Sequence, residues 1–111
     1  MKRTINDWEP ETKSLLRTLQ AAGAELDGGN NGEDEFRFKT EAKFIEGLTA
    51  CDEAHLFVNI DGKRRWIFLV YGNEPGVLMS DYSCDPVLDM VCDKHYEEWS
   101  GRKQPTKEVE L

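Results

Sequence analysis

Trp66-Ile67-Phe68-Leu69-Val70-Tyr71 is an unbroken run of six apolar and aromatic residues in a chain of 111 in which 32% of residues are charged. It falls far short of the ~18 residues that cross a bilayer. Its β-branched and aromatic content fits a strand that is apolar on both faces. Two turn signals bracket it. Asp61-Gly62, upstream, is the strongest short-range hairpin signal. Asn73-Glu74-Pro75-Gly76, downstream, suits a type II turn, with Pro75 fixing φ and Gly76 free to take positive φ. Before the first turn, Ala54, Leu56, Val58 and Ile60 alternate with His55, Phe57, Asn59 and Asp61, which predicts a strand with one thoroughly buried face. Val77 to Tyr82 returns as a third strand. The sequence therefore predicts a three-stranded antiparallel meander.

Helical periodicity flanks the meander on both sides. Trp8, Thr12, Leu15, Leu16, Leu19, Ala22 and Leu26 share one side at 100° per residue, while Lys13, Arg17 and Gln20 fall away from it. This predicts an amphipathic helix from Trp8 to Ala22, opened by Asn6 or Asp7 and weakened at its end by Gly23. Thr40 suits an N-cap for a second helix with Phe44, Ile45, Leu48 and Cys51 on one face, which makes Cys51 a buried thiol. Asp85-Pro86 opens a third, because Asp is favoured at the cap and Pro at the first helical position. Val87, Leu88, Val91, Cys92, His95 and Trp99 share its apolar face, and Gly101 can end it.

Between the first two helices, LDGGNNGEDE (26–35) is expected to be a flexible acidic loop. It fails the spacing of a calcium loop, since the position that requires a bidentate Glu is Phe38. Glu35 to Lys39 alternates and suits a short strand. The expected fold is α+β: a three-stranded meander, with a short fourth strand near 35–39, packed on two N-terminal helices and one C-terminal helix. Residues 1–100 are expected to form one domain and GRKQPTKEVEL (101–111) a disordered polar tail.

The helices most easily cover one side of such a meander. The other side, assigned here to Phe57, Ile67, Leu69 and Tyr71, then needs a further cover, because four apolar side chains left in water would cost about 1.5–3 kcal/mol each. A homodimer through that face is one solution.

Net charge is −8, from 22 acidic and 14 basic residues. Such a surface repels nucleic acid and anionic membranes and favours basic partners. Lys63-Arg64-Arg65 is the one basic cluster in the structured part, too small within this charge to indicate nucleic-acid binding. Two basic residues near the N-terminus with no hydrophobic segment after them do not make a secretory signal, so the expected location is the cytoplasm. The odd cysteine count fits free thiols there.

Chemistry-bearing constellations are sparse. Cys92 and His95 lie three apart on the third helix with Cys84 just before it, and Asp81 or Asp85 could complete four metal ligands. No CxxC or HxxxH clasp supports the set, and the Cys92/His95 side is otherwise the apolar core side. A Cys–His nucleophile pair would lack substrate access, no phosphate loop or dinucleotide fingerprint is present, and no cofactor is implied.

The expected function is therefore a small acidic non-enzymatic interaction domain, a regulator, inhibitor or adaptor that binds a partner protein through an acidic surface. That surface is expected to combine Asp27, Glu33, Asp34 and Glu35 with Asp85, Asp89 and Asp93. Tyr82, Tyr96 and Met90 would be anchors beside it. The alternatives are a metal-binding protein or enzyme using Cys84, Cys92, His95 and nearby aspartates, and an acidic mimic of nucleic acid occupying a basic site on another protein.

Overall fold

The structure is a computed structural model, and it describes residues 8–72 and 74–102. Those residues form helices α1 (Glu9–Ala21), α2 (Glu41–Leu48) and α3 (Pro86–Trp99). They also form strands β1 (Glu25–Asn30), β2 (Glu35–Arg37), β3 (Glu53–Ile60), β4 (Lys63–Val70) and β5 (Met79–Tyr82). The five strands make one antiparallel sheet in the order β2-β1-β3-β4-β5. The expected helix openers Asn6 and Asp7, the turn residue Asn73 and the expected tail beyond Arg102 lie outside the described residues. No helix among the described residues is long and apolar enough to cross a membrane.

The meander is present, and its turns are those the sequence requires. Asp61 (φ 52) and Gly62 (φ 77) both take positive φ, the signature of a two-residue type I′ hairpin. Gly76 (φ 99) follows Pro75 in a turn closed by the Val77 amide donating to the Glu74 carbonyl at 3.2 Å. Asp85 caps α3 by accepting from the Val87 amide at 2.8 Å, with Pro86 at the first position. At the end of α1, the Ala24 and Gly23 amides bond back to the Leu19 and Gln20 carbonyls. This is the Schellman geometry that Gly23 permits. The start of α1 differs: Trp8 is its N-cap and makes no side-chain cap bond. Helix α2 stops at Leu48, so Cys51 is not on its buried face but half-buried in the connection to β3.

The acidic loop expected at 26–35 is largely a strand. Glu25–Asn30 pairs with both β2 and β3, and the sheet has five strands rather than three or four. Its glycines are there for contact rather than flexibility. A Cβ on Gly28 would come within 2.6 Å of the Phe36 carbonyl oxygen. A Cβ on Gly29 would come within 2.8 Å of the Phe36 ring, which Gly47 of α2 approaches equally closely from elsewhere. Phe36 thus occupies space that only glycines leave open, and it packs edge-on to Phe44 with ring centroids 5.7 Å apart. Asn31 organises the turn that follows. Its side-chain oxygen accepts from the Glu33 and Asp34 amides, and its nitrogen donates to the Gly47 carbonyl.

All three helices lie on one side of the sheet. Leu15, Leu16 and Leu19 of α1, Phe44, Ile45 and Leu48 of α2, and Leu88 and Val91 of α3 share one core with Leu56, Val58, Ile67 and Leu69. A buried polar tie closes this layer. Glu11 on α1 accepts from the Gly76 amide at 3.0 Å, and the same oxygen faces His95 Nε2 on α3 at 2.9 Å. Trp8 stacks on Tyr71 at 4.9 Å, and Thr12 meets the Tyr71 hydroxyl at 3.2 Å.

Removing the Glu11 carboxylate would leave His95 and the Gly76 amide buried without it. Glu11→Ala is expected to cost about 2–4 kcal/mol in chemical denaturation, and Glu11→Gln, which keeps an acceptor, clearly less. Gly29→Ala, which must displace the Phe36 ring, should cost about 1–3 kcal/mol in the same assay.

Candidate functional site

The Asp61-Gly62 turn sets Ile60 opposite Lys63, so every even-numbered residue of β3 faces an odd-numbered residue of β4. Leu56 pairs with Ile67 and Ala54 with Leu69, and these side chains point into the core. His55 pairs with Phe68, Phe57 with Trp66 and Asn59 with Arg64, and these point to the other face. The expected second face of Phe57, Ile67, Leu69 and Tyr71 is corrected accordingly. Ile67 and Leu69 are fully buried under the helices and Tyr71 is buried against Trp8. Of the four, Phe57 alone lies on the outer face, and its neighbours there are His55, Trp66 and Phe68.

No helix among the described residues covers this outer face. The His55 ring lies 4.8 Å from Phe68 and 6.3 Å from both Phe57 and Trp66, centroid to centroid, and Trp66 is 38% exposed. The four rings form a contiguous aromatic floor on the two most extensively paired strands. Carboxylates surround it. Glu25 and Asp27 of β1, Glu35 of β2, Glu53 of β3 and Asp81 of β5 all lie on or beside this face. Arg37 and Arg64 are its arginines. The Arg64 guanidinium carbon sits 4.3 Å from the centre of the Phe57 ring, and its Nε is 3.3 Å from an Asp27 oxygen. The face can therefore hold a guanidinium between a ring and a carboxylate, and it does so with one of its own.

The acidic residues picked out from sequence are not brought onto one surface. Asp27 and Glu35 border the aromatic floor, and Glu33 and Asp34 are exposed in the turn between β1 and β2. Asp89 and Asp93 are exposed on α3, on the helical side of the sheet. The strand order sets β1 and β5 three spacings apart, about 14 Å. Met90 and Tyr96 are exposed on α3, well away from the acidic turn, at 53% and 52%.

Asp85 is a structural carboxylate, 7% exposed, engaged by the Val87 amide and by Arg65 Nε at 3.0 Å. The Arg65 guanidinium, helped by the Val87 amide, holds its carboxyl below the ordinary value. Tyr82 is half-buried and donates its hydroxyl to Asp89 at 3.0 Å, and burial together with the Asp89 carboxylate pushes that hydroxyl's pKa up.

The Cys84, Cys92 and His95 set does not converge. Cys84 is exposed, Cys92 is half-buried with its thiol pushed up by burial, and His95 is 1% exposed, packed on Trp99 and turned to Glu11. Among the described residues no three His, Cys, Asp or Glu side chains are placed to hold one metal ion.

Because the Asp85 pKa is lowered by folding, its contribution is fully present above about pH 4 and is lost as pH falls through the lowered pKa. Asp85→Asn should therefore reduce stability at neutral pH and flatten the loss of stability below about pH 4, as read from denaturation midpoints across pH.

Comparisons with protein families, with curated proteins and with solved structures find no match to the chain, so what this face does has to be read from its own geometry.

Proposed function

We propose that the chain is a non-enzymatic protein-interaction domain, and that the uncovered face of its sheet docks a positively charged partner protein. The supporting observation is the aromatic floor of His55, Phe57, Trp66 and Phe68, which lies outside the core among carboxylates. Aromatic rings in the middle of a patch with charge at its rim are the usual anatomy of a binding surface. A scattered surface aromatic needs no explanation, but a cluster on one face does.

Charge selects the class of partner. The face carries five carboxylates against two arginines on a molecule of net charge −8. A second copy of the chain would set like charge against like, and so would nucleic acid. A basic protein surface would be drawn in and oriented. On this reading the acidic interaction surface is the outer sheet face, where Asp27 and Glu35 lie, and not α3.

Photo-crosslinking in the native host tests the proposal. With Phe68→benzoylphenylalanine, the expected product joins the chain to a protein of basic isoelectric point. Its yield should fall when Glu53→Lys and Asp81→Lys are added, while Met90→benzoylphenylalanine on α3 should not give it. A crosslink to a second copy, to an acidic protein, or to nothing would overturn it.

A further inference from the structure

The outer face holds Arg64 between a ring and a carboxylate and has room for a further guanidinium. Arg64 lies over Phe57 with its nitrogen on Asp27, at the end of the aromatic floor near the Asp61-Gly62 turn. At the opposite end, a concavity opens between the β1–β2 turn and the strand pair β3–β4. His55, Phe57 and Phe68 line it, with Asn30 on one side and Glu53 on the other. The register accounts for this grouping. Asn30 and Phe68 are the two cross-strand neighbours of His55, and Glu53 precedes His55 by two residues on the same face.

We propose that this concavity is a binding site for an arginine side chain of the partner. It offers the same groups that hold Arg64, aromatic rings and a carboxylate, with none of the described arginines among its lining residues. Arginine suits such a site better than lysine. Its planar guanidinium stacks on a ring while its edge presents two N–H groups to a carboxylate. A lysine ammonium is a strongly hydrated point charge, and a ring face recovers less of what its desolvation costs. The surrounding negative charge adds attraction for either cation, so discrimination between them isolates the ring contribution. An arginine site there presupposes the docking face proposed above and specifies what that face grips.

The test uses the full chain and a synthetic probe, a capped peptide of alternating glycine and arginine, with its lysine and citrulline counterparts. NMR titration should show shifts concentrated at Asn30, Glu53, His55 and Phe68. The arginine peptide should bind at least about five-fold more tightly than the lysine peptide, and the uncharged citrulline peptide should not bind. Glu53→Gln and Phe68→Leu should each weaken arginine binding by about three- to ten-fold. Glu97→Gln on α3 should leave it unchanged. All are exposed or half-exposed positions, and an unaltered amide spectrum confirms that each variant folds. Equal binding of the arginine and lysine peptides, shifts centred elsewhere, or no binding would overturn the arginine site. If the peptide fails while crosslinking through position 68 still captures a basic protein, arginine recognition falls and the docking face stands. If both fail, both fall.

Discussion

A two-residue turn decides which side of this sheet meets the helices. With Asp61 and Gly62 both at positive φ, the hairpin closes tightly and sets Ile60 opposite Lys63. A strand has a side-chain period of two, so that single pairing determines every later one. Ile67 and Leu69 join Leu56 and Ala54 inside, and Trp66 and Phe68 join Phe57 and His55 outside. A turn one residue longer would exchange these sets and bring Trp66 under the helices and Ile67 into water. The identity of the exposed aromatic face is thus a property of the turn as much as of the strands.

Once that parity is set, the three helices complete only one layer. Each presents one apolar stripe to the sheet, and those stripes are used up by the inward-facing residues of β3, β4 and their neighbours. The outer face keeps its rings partly exposed and orders them by mutual contact and by the Arg64–Phe57 stack. Those rings are apolar surface left on that face, and burying them would release hydrophobic free energy.

Much of this was legible in the sequence, and the failures have definite causes. The meander and its turns announced themselves through Asp61-Gly62 and Pro75-Gly76, and α3 through Asp85-Pro86 at its start. Strand β1 did not, because Asp27-Gly28-Gly29-Asn30 has the composition of a loop. Its glycines serve close approach to Phe36, which no local pattern reveals. The face assignment failed differently. Both sides of β4 are apolar, so hydrophobicity could not distinguish them, and only counting across the two-residue turn pairs Phe57 with Trp66. Asp85, Asp89 and Asp93 looked like one stripe with the acidic turn. The sheet order sets them at a distance, and Arg65 and the helix cap engage Asp85. His55, Glu53, Trp66 and Phe68 were present in the text of the chain but had no shared position until the register supplied one.

The Glu11 carboxylate has a consequence for how the chain comes together in time. It joins residues separated by 65 and 84 positions, and the Trp99 indole reaches Ser14 across 85. An emerging polypeptide can wind α1 early, but its buried Glu11 carboxylate does not meet His95 until that residue has left the ribosome. Contacts of such long sequence separation slow folding, because the loop must be closed before the contact rewards it. Helix α1 is therefore fully tied only late, when α3 is available. During synthesis its apolar stripe, Leu15, Leu16 and Leu19, is sealed fully only when the final helix arrives beside it.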